Sequence, residues 1–287
     1  MSGAPNREEG WKYYMEKIDI NEVQKQQLKK FELDILMEID RICKKNNIKY
    51  TLGYGTLIGA VRHKGFIPWD DDIDICMLRK DYMKFRKICE TELDHKFFYQ
   101  THSTDKEYYH LFDKVRMNNT VFKETFLSTY NIHHGVYVDI FPIDNIANGW
   151  LNGIWQYYQY RLYRTILNSK YLVLDARTGK KKIVALVIKI LFAKVKLEYL
   201  YDKAEKKAMK YVEYNTNFVG CFASAYKRRD RFPTYYYKNT IPKMFEGMMF
   251  EVPFFYDEML KRIYGDYMQI PAKEKQITRH DLVEIKL

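Results

Sequence analysis

The sequence predicts an α/β (α+β) protein, a mixed sheet flanked by helices with a helical insertion. Three observations predict it. Residues 20–47 place apolar side chains at helical spacing. Short runs of strand character follow at 48–52, 69–77, 112–116 and 135–141. Residues 146–215 then return to helical spacing with no strand pattern. A chain of 287 residues can bury a sizeable core, and its length permits one or two domains.

Each element has its own warrant. In 20–47, Val23, Leu28, Phe31, Ile35, Ile39 and Ile42 supply much of an apolar face, and Asn46-Asn47 ends the helix. Ile48 to Leu52 reads as the first core strand, Thr56 to Arg62 as a helix after a glycine turn, Trp69 to Met77 as a strand and Lys80 to Leu93 as a helix. Phe112 to Arg116 and Gly135 to Phe141 complete the strands. The expected organisation is a flexible lead-in at 1–19, a catalytic core at 20–145, a helical acceptor-side or membrane-proximal segment at 146–220 and a closing part at 221–287.

The chemistry concentrates in Trp69-Asp70-Asp71-Asp72-Ile73-Asp74-Ile75, four carboxylates in five positions. On a strand Asp72 and Asp74 project together while Ile73 and Ile75 face the core. Carboxylates held side by side repel unless a cation sits between them, and hard oxygen ligands select Mg²⁺ or Mn²⁺. An acidic turn is the plainer alternative. Upstream lies Leu52-Gly53-Tyr54-Gly55-Thr56-Leu57-Ile58-Gly59-Ala60-Val61-Arg62, where glycines let backbone approach a phosphate. Together, the Gly55-Thr56 turn and the D-x-D strand have the layout of a nucleotidyltransferase-like fold. Strand parity also puts Lys114 and Arg116 on one face, offering a phosphate two cations or forming an exposed basic edge, and it sets Asp139 on the face opposite Val138 and Ile140.

Tyr54 to His63 followed by Gly65 to Asp74 resembles the signature of the LicD family of phosphotransferases, which is related to the catalytic domain of fukutin-related proteins. Asp113-Lys114-Val115-Arg116 with Thr120, Gly135 to Asp144, and Tyr264 to Met268 with Pro271 extend the resemblance over residues 35–287. Several motifs in order are more specific than any one of them. The resemblance implies Mg²⁺- or Mn²⁺-dependent transfer of a phospho-alcohol from a CDP-alcohol donor, phosphocholine from CDP-choline above all, to a sugar hydroxyl of a surface glycan or teichoic acid precursor, with release of CMP. It implies metal ligation by Asp72 and Asp74, with Asp70 as a further ligand; Asp71, on the opposite strand parity, is expected outside the set. Gly55, Thr56, Arg62, Lys114 and Arg116 would bind donor phosphates. Asp139, the third carboxylate, would activate the acceptor hydroxyl or help bind metal. CDP-ribitol is an alternative donor. Attack on the α-phosphate of an NTP is a rival reaction on the same residues, and a non-catalytic scaffold would have no need of clustered carboxylates. A quaternary ammonium head needs an aromatic cage, for which 26 Tyr, 17 Phe and 4 Trp are ample.

Composition bounds the setting. A formal charge of +11 implies an acidic partner, and the distribution of that charge makes anionic membrane a better expectation than nucleic acid. Trp150, Leu151, Ile154, Trp155, Tyr158 and Leu162 recur at helical spacing, and the apolar run Ile183 to Phe192 is flanked by Lys180, Lys181, Lys182, Lys194 and Lys196. Both segments can lie in a membrane interface or pack as ordinary helices on the core. Cys43, Cys76, Cys89 and Cys221 show no zinc spacing and read as reduced thiols. With no apolar signal-like segment at the start, the expected location is cytoplasmic, peripheral at the inner face of the cell membrane.

Overall fold

The computed structural model describes residues 18–171, 179–278 and 280–287. Residues 1–17, most of the expected lead-in, lie outside them.

Helix α1 (Glu22–Lys45) starts at a capping box in which Asn21 Oδ1 accepts from Gln24 N–H at 2.9 Å while Gln24 Oε1 accepts from Asn21 N–H at 3.1 Å. Its buried stripe is Leu28, Ile35, Leu36, Ile39 and Ile42. Val23 does not join it and is 76% exposed, because at 100° per residue it lies about 140° round the helix from Leu28. Strand β1 (Thr51–Leu52) leads into α2 (Tyr54–Ile58), which widens into a π-turn at Gly59–His63. Then come β2 (Asp74–Leu78), α3 (Arg79–Glu92), β3 (Phe97–Gln100), β4 (Asp113–Met117), β5 (Val121–Glu124) and β6 (Tyr137–Ile146).

The strand expected at 69–77 therefore begins only at Asp74. The chain turns through Ile67 to Asp70, closed by Asp70 N–H to Ile67 O at 2.9 Å, and Pro68 has no N–H to give a ladder. Asp70, Asp71 and Asp72 stand on a loop rather than in strand alternation.

The main sheet runs β1-β2-β6-β4-β3, with β2 and β6 parallel and the other pairs antiparallel. Side chains alternate across it, so Ile75, Val115, Val138 and Ile140 join one core with α1 and α3. The opposite face carries the polar residues of the next section and a second core around Tyr54, Cys76, Ile143 and Phe232. The expected helical insertion is α4 (Trp150–Tyr171), α5 (Lys180–Leu191) and α6 (Leu197–Ala208). Helix α6 is tied to the sheet by Glu205, which meets Arg79 at 3.3 Å and Arg86 at 3.1 Å, while these arginines pair with buried Asp144 and Asp113.

The closing part adds β7 (Phe218–Gly220) and β8 (Arg231–Pro233) to the end of β6, a hairpin of β9 (Thr240–Phe245) and β10 (Met248–Pro253), α7 (Tyr256–Tyr264) and β11 (Leu282–Lys286). Strand β11 pairs with β5, so the last residues return to the polar face of the sheet. All four cysteines are buried and unbridged.

Candidate active site

Three neighbouring strands build the floor. Asp74 of β2 is in register with Asp139 of β6, and Asp139 with Lys114 of β4, so the three side chains stand side by side. Lys114 Nζ lies 2.5 Å from Asp139 Oδ1 and 3.3 Å from the Tyr137 ring centroid, which puts the buried ammonium on an aromatic face as well as on a carboxylate. Burial raises the Asp139 pKa and Lys114 pulls it back, with a net upward shift. Asp74 is pushed well up by burial and by the charges of Asp72 and Asp139.

The loop before β2 supplies the wall. Ligand oxygens of Asp70, Asp71 and Asp72 lie within 4.8 Å of one another. Asp71, expected outside the metal set on strand parity, is in this group because the loop lacks that parity. Burial, then the charge of Asp70, pushes Asp72 up to about 7. Gly55 permits the arrangement: a Cβ there would sit 2.6 Å from Asp70 Oδ2. Thr56 is placed below the cluster, its hydroxyl oxygen accepting from Asp74 N–H at 2.8 Å, so it fixes where β2 begins.

The remaining expected residues are placed differently. Arg116 is buried, its Nε donating to Gln100 Oε1 and its Nη1 to Gly135 O, both at 2.6 Å, while Nη2 has no hydrogen-bond partner. Arg62 reaches the C-terminal part, donating to Tyr267 O at 2.5 Å, and is not brought against the carboxylates.

Three residues of the site escaped the sequence reading. His280, just before β11, places Nδ1 2.9 Å from Asp71 Oδ1 and Nε2 3.9 Å from Asp72 and 3.6 Å from Glu124. Burial alone would lower its pKa; the Asp71 hydrogen bond and the charges of Asp72 and Glu124 outweigh that and push it up to about 10. Glu124 is itself buried at the end of β5. Glu32 of α1, also buried, is pushed well up by burial and by Asp72 and Asp71. Glu32 had a signal, a carboxylate on the stripe of Leu28, Ile35 and Ile39. His280 had none, because only the long-range pairing of β11 with β5 brings it here.

This donor set fits a divalent cation. Several hard carboxylate oxygens converge, and Asp71 Oδ2 is buried with no hydrogen-bond partner.

A second constellation braces the glycine turn. Tyr54 sits at φ 43°, a conformation that is costly for a residue with a large side chain. Its hydroxyl donates to Asp230 Oδ2 at 2.6 Å and its ring packs on Phe141 and Tyr226. The tertiary contacts thus hold a strained residue next to Gly55.

Residues 47–172 match the family model of the LicD/FKTN/FKRP nucleotidyltransferase domain. The chain is 29% identical over 259 residues to the lipopolysaccharide cholinephosphotransferase LicD of Haemophilus influenzae, covering 86% of this chain and 92% of that one. A shorter stretch of 54 residues is 46% identical to an uncharacterized protein of Rickettsia typhi, 19% of this chain and 18% of that one. Asp74, Asp139 and Lys114 fall inside the matched stretch, and the similarity to the Haemophilus cholinephosphotransferase runs through most of the chain; residues 47–172 are similar to the LicD/FKTN/FKRP nucleotidyltransferase domain.

Proposed function

We propose that this enzyme transfers phosphocholine from CDP-choline to a sugar hydroxyl of a surface glycan or its lipid-linked precursor and releases CMP. The observation that carries it is the row Asp74, Asp139, Lys114 beside the Asp70–Asp72 loop, in a chain similar to a cholinephosphotransferase. Asp70, Asp72 and Asp74 would hold Mg²⁺ or Mn²⁺, with Asp71 at the same cluster, and the bound cation supplies charge neutralisation at the diphosphate.

The chain's own groups do the rest. Asp139 accepts the proton of the acceptor hydroxyl as its oxygen bonds to the choline-bearing phosphorus. The bond from that phosphorus to the CMP oxygen breaks, and CMP leaves with the electron pair. Lys114 holds Asp139 in place and offsets charge on non-bridging oxygens. Gly55 offers backbone to the donor phosphate, and Thr56 fixes the height of Asp74.

The test is incubation with Mg²⁺ and a panel of CDP-choline, CDP-ribitol and NTPs. CMP from CDP-choline supports the proposal. CMP from CDP-ribitol alone reassigns the alcohol, and pyrophosphate from an NTP assigns the rival nucleotidyl transfer.

A further inference from the structure

Helix α5 is built inside out. Its contacts with the protein run through buried Ala185 and half-buried Ile188, while Ile183, Val184, Val187, Ile190 and Leu191 point away, Ile190 being 66% and Leu191 72% exposed. At 100° per residue these outward side chains form one continuous apolar face opposite Ala185 and Ile188. Helix α4, which packs on α5, adds an outward stripe of Leu151, Trp155, Tyr158 and Leu162. Of twenty-three exposed large apolar side chains among the described residues, eleven lie on these two helices. Such concentration marks a surface that something covers.

Charge selects the occupant. From Gly179 to Leu197 the sequence has six lysines and no acidic residue. Lys182 and Lys189 are exposed and flank the apolar face of α5, and Lys194 and Lys196 follow it. Lysine stems can lie along an apolar boundary with their ammonium groups at phosphate level, and Trp and Tyr favour that depth. Helix α5 has 12 residues, about 18 Å against the ~30 Å of a bilayer's hydrocarbon. No described helix is long and apolar enough to cross a membrane. A basic-flanked apolar face on a short helix lies in the interface plane.

We infer that α5, with the outer stripe of α4, docks the enzyme on an anionic lipid surface. This is independent of which alcohol is transferred. It would bring a lipid-linked acceptor to the same surface.

The test uses the full chain with vesicles of phosphatidylglycerol and phosphatidylcholine, or of phosphatidylcholine alone. Sedimentation with the anionic vesicles at low salt is expected, with release as salt rises. A blue shift of Trp emission should accompany it and be lost in Trp150→Phe/Trp155→Phe. Ile183→Asn/Ile190→Asn/Leu191→Asn should abolish binding, and Lys182→Glu/Lys189→Glu should weaken it by roughly tenfold or more. Both variants should release CMP from soluble donor at the wild-type rate. No sedimentation at low salt, equal binding to neutral vesicles, or binding that survives the triple substitution would overturn the inference. So would a dimer in solution that the triple variant converts to monomer without any vesicle binding.

Discussion

Lys114 and Asp139 face each other across adjacent strands with 2.5 Å between ammonium and carboxylate, both buried. A buried pair that loses one member leaves an uncompensated charge. Lys114→Met is therefore expected to lower unfolding free energy by about 3–5 kcal/mol, the usual cost of that loss. Asp139→Asn leaves the Lys114 ammonium the charge of Asp74 and the face of the Tyr137 ring, so it should keep the fold and lose turnover by about 10²–10⁴, the range for a removed general base. Urea unfolding and CMP release separate the two effects. A large loss of Mg²⁺ and donor binding in Asp139→Asn would make it a metal ligand instead.

The acidic loop behaves in the opposite sense. Beyond burial, Asp70 and Asp139 raise the pKa of Asp72, and Asp72 and Asp139 raise that of Asp74, so in metal-free protein these charges repel. Asp72→Asn and Asp74→Asn should each abolish turnover while leaving the melting temperature in EDTA equal to wild type or higher. Mg²⁺ should raise the melting temperature of wild type and fail to do so in either variant. Near-normal activity of either variant at saturating Mg²⁺ would remove that residue from the metal set.

Much of this arrangement was legible because strand parity is local. Lys114, Arg116 and Asp139 could be assigned faces from alternation alone, and the long α1 announced itself by its period. The loop of Asp70–Asp72 was misread as strand, since its carboxylates alternate with nothing that pins their direction until Asp74 enters the ladder. His280 and Glu124 were not legible at all. Their position depends on β11 pairing with β5 across more than a hundred and fifty residues, with Leu282 opposite Glu124. The outward apolar face of α5 was half legible: its period shows in the sequence, but periodicity does not say which side the core takes.

The Tyr54–Asp230 bond gives a pH-dependent term away from the metal cluster. Burial raises the Asp230 pKa to about 6 although the Tyr54 hydrogen bond pulls it down. A folded-state pKa above the unfolded value means stability that is fully present below the unfolded pKa and lost as pH rises through the folded one. The loss runs from about pH 4 to about pH 6 and amounts to about 3 kcal/mol at one unit per 1.36 kcal/mol. Asp230→Asn retains an oxygen acceptor for Tyr54 and does not titrate. Its stability relative to wild type should therefore increase between about pH 4 and about pH 6 in urea titrations. A difference that stays flat across that range would show that Asp230 ionises in the fold as easily as in the unfolded chain.

His280 supplies the positive charge at the carboxylate cluster, meeting Asp71 at 2.9 Å, Glu124 at 3.6 Å and Asp72 at 3.9 Å. Its raised pKa keeps it charged at neutral pH, so it screens the same repulsion that a divalent cation would screen. Replacing it by a neutral side chain of similar size leaves those carboxylates facing one another. His280→Gln is expected to lower the melting temperature in EDTA by several degrees, in line with a loss of about 1–3 kcal/mol in a domain of this size. Millimolar Mg²⁺ should narrow the gap, because a cation at Asp70–Asp72 takes over part of the screening. Glu32→Gln is the control. Burial and the neighbouring aspartates push the pKa of that carboxyl well up and so disfavour its charged form, and its amide should change the melting temperature little in either condition. A gap between wild type and His280→Gln that is the same with and without Mg²⁺ would mean that the imidazole serves to anchor β11 and not to balance the charge of the site.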